Sequence, residues 1–480
     1  MALPLRILIP LIVACALFME NLDSTVLSTA LPAIGRELHE SPIQLKLALA
    51  SYLLTLAVFI PASGWFADRF GARTIFRLAI LIFALGSIFC GFATSIHMLV
   101  AARALQGAGG AMMMPVGRLV ILRSVPRSEF VDALAWLTIP ALIGPMLGPP
   151  LGGFITTYFS WRWIFWINIP VAVLGLVLAT LFIPEIVEED PPPFDLIGFI
   201  LSGVGLSALV WASATMEGDA LPVWAVWVLF AIGLVCVALY ALHAARTANP
   251  ILDLRLFRLP TFKAGVIGGS FFRIGVGAIP LLWPLLLQLG FGLSPLQSGL
   301  MTFVGAVGAM LMKFTASPIL RRLGFRRVLV VNVIITAIFG VAPASFTITS
   351  PHLWILTVFF IGGFFRSLQF TCINAISVAE VEQPEMSQAT TLTSVFQQLS
   401  LSLGITIAAF ILQSSMALRG SQTLATDDFL PAFVVIGAIS VLSYFSFASL
   451  PPNAGEELAR RKRVASAAVA MADGRSYGRS

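Results

Sequence analysis

The sequence predicts an all-α integral membrane protein with about fourteen transmembrane helices: two six-helix halves with two further helices inserted between them. Three observations predict it. Of 480 residues 58% are hydrophobic and 11% charged, with a mean hydropathy of +0.95, so polar groups cannot cover the apolar surface in water. Apolar stretches of about 20 residues, enough to cross a hydrocarbon core of roughly 30 Å, recur from end to end. A short basic turn occurs twice, as Gly64-Trp65-Phe66-Ala67-Asp68-Arg69-Phe70-Gly71-Ala72-Arg73 and as Leu320-Arg321-Arg322-Leu323-Gly324-Phe325-Arg326-Arg327.

In chain order, the first six spans centre near Leu17, Thr55, Leu85, Gly110, Leu147 and Val173. Arg6 and the apolar Ile7 to Met19 imitate a signal peptide, but the apolar stretch continues past Glu20 and Asp23 to Ile34, too long for a cleaved leader. Two inserted spans centre near Gly203 and Ala231, flanked by Glu185 to Phe194 with its Pro191-Pro192-Pro193 and by Ala244 to Pro260. The last six centre near Ile279, Gly305, Ile335, Phe365, Ser400 and Ser440. Aligning Gly71 with Gly324 matches Arg69 to Arg322 and Arg73 to Arg326, so a six-span unit is read as duplicated, an architecture of transporters. The expected division is residues 1–184 for the first bundle, 185–260 for the linker and inserted pair, 261–452 for the second bundle and 453–480 for a basic tail.

Cations fall in alternate loops. Arg69, Arg73, Arg77, Arg123, Arg127, Arg246, Arg255, Arg258, Lys263, Arg321, Arg322, Arg326, Arg327 and the cluster Arg460-Arg461-Lys462-Arg463 mark the cytoplasmic side and put both termini there. The opposite side has Arg36, Lys46, Arg162 and Arg419. The net charge of +6 then follows from topology, with no nucleic-acid partner implied. Cys15, Cys90, Cys236 and Cys372 lie within spans at no ligand spacing, so neither a disulfide nor a metal site is expected. None of the four lysines follows a glycine; there is no phosphate-cradling loop for ATP, and uphill transport must draw on an ion gradient.

The fifth span carries Gly144-Pro145-Met146-Leu147-Gly148-Pro149-Pro150-Leu151-Gly152-Gly153. Gly144, Gly148 and Gly152 recur every four residues on one helix face, where a neighbouring backbone can approach closely, while Pro145 and Pro149 bend the helix. A tightly packed, bent span can serve as a moving part; a merely well-packed kink is the plainer alternative.

These residues resemble the fourteen-span drug–proton antiporters of the major facilitator superfamily. The likeness rests on Leu22-Asp23-Ser24-Thr25-Val26 to Ala30-Leu31-Pro32, on Gly64 to Arg73, on Arg103-Ala104-Leu105-Gln106-Gly107 and on Gly144 to Gly153, over about residues 5 to 450. It implies the major facilitator fold. It also implies a conformational latch at Gly64, Asp68, Arg69, Gly71 and Arg73, with Asp68 near the start of a helix of the other half. A solvated, topology-setting loop is the alternative. The Gly144 to Gly153 stretch resembles the antiporter motif and is expected to form the flexible contact with the other half. Two positions depart from the pattern: Ala72 stands where a basic residue is usual, and Glu20 is an acid that the pattern does not require.

Each ionisable group at mid-span costs roughly 2.5 to 3.5 kcal/mol on insertion scales, so it is paired, hydrated or functional. Glu20 and Asp23 in span one, Arg103 in span four, Arg273 in span nine and Arg366 in span twelve are such groups. Discounting the inserted pair, these are the first and fourth helices of each half, which line the central cavity in the superfamily. Spacing puts Glu20 with Asp23, Arg103 with Gln106 and Arg366 with Gln369 on shared faces. We expect Asp23, Glu20 and Arg103 to couple protons, a static Asp23–Arg103 ion pair being the alternative. We expect Arg273, Arg366, Gln106 and Gln369 in the substrate cavity, with packing an equal alternative for the two arginines. Phe271, Phe272, Trp283, Phe364, Phe365, Phe370 and Met112 to Met114 offer adaptable apolar contacts.

The expected function is secondary active transport: proton-coupled antiport exporting drugs or other small amphiphilic compounds across a bacterial inner membrane. The partners are a small-molecule substrate, protons and the lipid bilayer, with no cofactor. Export of a specific metabolite or weak acid on the same fold is one alternative; a non-transporting membrane sensor or scaffold is the other.

Overall fold

Inside hydrocarbon no water satisfies backbone N–H and C=O groups, so each long apolar stretch closes its own hydrogen bonds as a helix. The computed structural model describes residues 5–125, 130–185, 187, 193–215, 222–382, 385–421 and 423–455. Arg127, Ile186, Glu188 to Pro192 and the tail cluster Arg460 to Arg463 lie outside the described residues. The described residues form helices and no strand.

The first six long helices are α1 (Leu5–Leu38), α2 (Lys46–Phe70), α3 (Ala72–Gly91), α4 (Ile96–Ser124), α5 (Phe130–Tyr158) and α6 (Trp163–Phe182). Then come α7 (Leu196–Thr215) and α8 (Val223–Arg246). The remainder are α9 (Pro260–Gly290), α10 (Pro295–Leu323), α11 (Phe325–Val341), α12 (His352–Ile376), α13 (Met386–Leu418) and α14 (Phe429–Ala448). Among the described residues thirteen helices are long and apolar enough to cross a bilayer, and α5 adds a further helix of 29 residues.

The duplicated turn is visible in the backbone. Gly71 (φ 91°, ψ 135°) joins α2 to α3, and Gly324 (φ 76°, ψ 159°) joins α10 to α11. Positive φ at both positions is a conformation glycine adopts without a Cβ penalty. The matched arginines do matching work. Arg73 Nη1 donates to the Ile183 carbonyl at 3.3 Å, just past α6, and Arg326 Nη2 donates to the Ala448 carbonyl at 2.8 Å, at the end of α14. Each thereby satisfies an orphan carbonyl at the negative end of its half's sixth helix.

Packing repeats as well. In the first six helices α1 lies on α5, α4 on α2 and α3, and α6 on α1 and α3. The same pairings recur among α9 to α14: α9 on α13, α12 on α10 and α11, α14 on α9 and α11. Between the two sets run α5 on α10, α2 on α13 and α1 on α9, while α7 packs on α8, α2 and α13.

At the end where Leu38 and Gly91 lie, a single apolar core joins both sets: Leu31 and Ile34 of α1, Leu282 and Trp283 of α9, Phe359 of α12 and Ile405 of α13. Gln288 Nε2 donates to the Thr29 carbonyl across that junction at 2.9 Å. At the opposite end each set has a cluster of its own, and a further one joins them through Ala57 and Ala62 of α2, Phe262 and Val266 of α9 and Leu392 and Val395 of α13. Residues such as Val13, Phe76 and Val116 form one cluster from α1 to α6, and residues such as Phe272, Leu329 and Phe447 form another from α9 to α14.

Candidate functional site

Helix α1 is polar along one side, yet most of its hydroxyls need no partner elsewhere. Ser24, Thr25, Ser28 and Thr29 each donate to carbonyls three or four residues back in the same helix. Asp23 has no such recourse, because an ionised carboxylate only accepts. It is 3% exposed, and donors from two other helices converge on it. Arg103 Nη1 of α4 forms an ion pair with Oδ2; Gln106 Nε2 donates to Oδ1 at 2.8 Å, and Asn168 Nδ2 of α6 donates to the same oxygen at 2.9 Å. The network closes through Ser87 of α3, whose hydroxyl accepts from Gln106 at 2.7 Å and Asn168 at 3.1 Å. Arg103 also donates to Gln106 Oε1 at 2.5 Å and lies over the Tyr52 ring, 4.2 Å from its centroid.

The sequence reading thus named three members of this centre and missed Ser87, Asn168 and Tyr52. Asn168 had a legible signal, a lone amide inside the apolar run of α6 that the cost of a polar mid-span group singles out. Ser87 and Tyr52 had none. Glu20, one turn before Asp23, stays outside the network: its Oε2 is buried without a hydrogen-bond partner, as is the Tyr52 hydroxyl.

The second set of helices is built differently. Arg273 of α9 is fully buried; its Nη2 donates to Asn374 Oδ1 of α12 at 2.8 Å, its guanidinium lies 5.4 Å from the Phe370 ring centroid, and its Nε and Nη1 have no partner. Arg366 of α12 is half-buried over the Trp283 ring at 5.1 Å. Gln369 is fully buried but turned to α11, accepting from Asn332 at 2.8 Å and donating to the Leu329 carbonyl at 3.2 Å. The structure therefore gathers Asp23, Arg103 and Gln106, and sets Arg273, Arg366 and Gln369 apart from them.

At the end opposite Leu38, Asp68 of α2 pairs with Arg123 of α4 at 2.7 Å. It lines a cavity of about 310 Å³ together with Ser387, Gln388 and Thr391 in the first turns of α13. Gly64 lines the same cavity and a Cβ there would meet nothing within 4 Å, whereas Arg69 is exposed. The far wall is the linker after α8. Asp195 fixes it, accepting from the Ile251 N–H at 3.1 Å, from His243 at 2.7 Å and from the Gly198 N–H at 2.9 Å. Burial raises the Asp195 carboxyl, but these donors outweigh it and hold the group below the usual carboxylate range.

Within the Gly144 to Gly153 stretch the contacts divide. A Cβ at Gly144 would lie 3.0 Å from the Phe18 carbonyl, at Gly148 it would collide with Thr25, and at Gly152 it would lie 2.6 Å from the Val26 carbonyl. All three face α1 within the same set of helices. Contact with the other set falls to their neighbours: Gly153 packs on Pro295 and Leu296 of α10, and Pro149 and Pro150 pack on Gly299. The reason is rotational. Residues every fourth position share one face, and Pro149, Pro150 and Gly153 lie on the adjoining face, which meets α10.

The sequence pattern of the Major Facilitator Superfamily matches residues 13–244 and 265–473. The chain is similar to the "Putative multidrug resistance protein MdtD" of Escherichia coli O6:H1, 38% identical over 462 residues, which is 95% of this chain and 97% of that protein. The protein of the same name from Escherichia fergusonii matches with the same identity and coverage. Among solved structures the fold is similar to the POT family transporter PepTSo, with a TM-score of 0.68 and 16% identity over 93% of this chain and 98% of that one. It is also similar to the D-xylose-proton symporter, with a TM-score of 0.67, 16% identity and the same coverage.

Proposed function

Because this chain belongs to the Major Facilitator Superfamily, and is a multi-pass membrane transporter rather than an enzyme, we propose that it is a proton-coupled antiporter. It exports drugs or other small amphiphilic compounds across the bacterial cytoplasmic membrane. The observation that carries this reading is the buried Asp23–Arg103–Gln106 centre beside the unpartnered Glu20. A carboxylate held by an arginine stays ionised while the cation is close; when the helices part, the same carboxylate is left in a poor medium for charge and takes a proton. Movement of α4 relative to α1 is thereby tied to proton uptake, and Glu20 is a second acceptor on the same face.

The working parts follow the duplication: residues 1–184 and 261–452 as two bundles that rock about a central site, with 185–260 as an inserted pair and 453–480 as a cytoplasmic tail. The alternate-loop cations set both termini inside, which makes the Leu38 end extracytoplasmic and the opposite end cytoplasmic. Asp68 and the start of α13 then form the latch of the cytoplasmic gate, and the α5–α10 contact through Pro149, Pro150 and Gly153 closes the outer one.

Proteoliposomes with an imposed pH gradient test the proposal. Uphill substrate movement should stop when the pH gradient and membrane potential are collapsed together, and Glu20→Gln should shift its pH profile while leaving coupled transport. Uphill movement that persists without either gradient would overturn it. Export of a weak acid on the same machinery is the second reading, favoured by the two arginines of α9 and α12 that lack an acid.

A further inference from the structure

Arg366 borders a cavity of about 50 Å³ enclosed by α9, α11, α12 and α14, in company with Gly275, Trp283, Thr336, Phe433 and Ser440. The same four helices of the first set, α1, α3, α4 and α6, hold the Asp23 network at another level: Ser87 follows Gly71 by sixteen residues, whereas Asn332 follows Gly324 by eight. The fourth helices correspond in spacing. Arg103 and Gln106 stand on α4 as Arg366 and Gln369 stand on α12, and each glutamine ties to its third helix, to Ser87 in one case and to Asn332 in the other. On the first helix the correspondence breaks. Asp23 faces α6 and accepts from Asn168, whereas Gly275 faces α14, where a Cβ would run into the Ser440 hydroxyl. Gly275 thus borders the cavity without placing a side chain in it.

Charge makes the gap consequential. No carboxylate of a described residue stands within salt-bridge distance of Arg366 or Arg273, and Arg273, which meets Phe370 and Asn374 of α12, keeps Nε and Nη1 buried without a partner. A guanidinium held partly out of water with no counter-charge is costly, and an anion entering the cavity beside Arg366 recovers part of that cost. An apolar groove adjoins the cavity. A groove of about 580 Å³ between α11 and α14 shares Ala337 and Gly437 with it.

We propose that this cavity is an anion subsite, in which Arg366 receives the carboxylate of an amphiphilic weak acid as Arg103 receives Asp23. The apolar body of the acid lies against Trp283 and Phe433, toward the α11–α14 groove. The assignment deepens the transport reading and rests on it only for the statement that the bound acid is cargo.

Binding is measured on the full chain in nanodiscs of zwitterionic lipid at near-neutral pH, by calorimetry and thermal melting, with decanoate, decanol and decyltrimethylammonium as probes. Decanoate should bind and raise the melting temperature; the other two, sharing its tail, should not. Arg366→Gln should weaken decanoate binding by about tenfold or more. Gly275→Asp combined with Ser440→Ala sets a carboxylate at the edge of the cavity; it should abolish decanoate binding while the melting temperature holds or rises, so that loss of binding is separated from loss of fold. No gradient is involved, so failure of proton coupling leaves this test intact. Unchanged decanoate binding in both variants, or equal binding of decyltrimethylammonium, would overturn the site. Displacement of decanoate by phosphatidylglycerol, with no decanoate movement in vesicles, would make the occupant a membrane lipid and overturn the assignment to cargo.

Discussion

Arg103 and Asp23, 80 positions apart in sequence, meet as a buried ion pair in which the arginine also covers the Tyr52 ring. Removing one partner leaves the other charge stranded, which costs about 3–5 kcal/mol, whereas removing both costs far less. Asp23→Asn and Arg103→Gln should therefore each lower the melting temperature, and the double variant should recover most of the loss. Transport should fail in all three. Calorimetric melting beside proteoliposome flux separates the two roles; recovered transport in the double variant would reduce the pair to packing.

The Asp68–Arg123 pair is of another kind. Its side chains are 31% and 18% exposed, so its contribution to stability is about 1 kcal/mol or less. Asp68→Asn should leave melting nearly unchanged and slow the transport cycle several-fold, because the group biases two arrangements of α2, α4 and α13. A normal turnover rate in a well-folded Asp68→Asn protein would remove the latch assignment.

Close approach of α1 and α5 depends on Gly152, where an added Cβ would sit 2.6 Å from the backbone carbonyl of Val26. A carbonyl in a helix cannot step aside as a side chain does. Gly152→Val should destabilise by about 1–3 kcal/mol through overpacking, while Gly64→Val, with open space around it, should melt like the parent protein. Melting of the two variants side by side measures the contrast.

Asp195 carries a pH signature. Its folded carboxyl lies below the ordinary value of about 3.9, so its ionised form stabilises the fold above that value and the contribution is lost as pH falls through the lower, folded one. Asp195→Asn should melt below the parent protein at neutral pH, through loosening of the His243 and Ile251 contacts, and the difference should close in acid. A difference that stays constant from neutral pH down to strong acid would contradict this.

Much of the fold was legible because its determinants act along one dimension. Hydropathy fixed the long helices, the cost of a charge in hydrocarbon flagged Asp23, Arg103, Arg273 and Arg366, and the repeated Gly-x-Arg turn exposed the duplication that Gly71 and Gly324 share in backbone angle. What the sequence left open was rotation. A helix apolar on every side carries no hydrophobic stripe to say which face meets which neighbour. Only the packed structure turned Gln106 toward Asp23 and Gln369 toward Asn332, set the Gly144, Gly148 and Gly152 face on α1, and opened a cavity bordered by Gly275 and Arg366. Those outcomes depend on close contact between backbones far apart in sequence, which side-chain polarity does not encode and van der Waals fit alone decides.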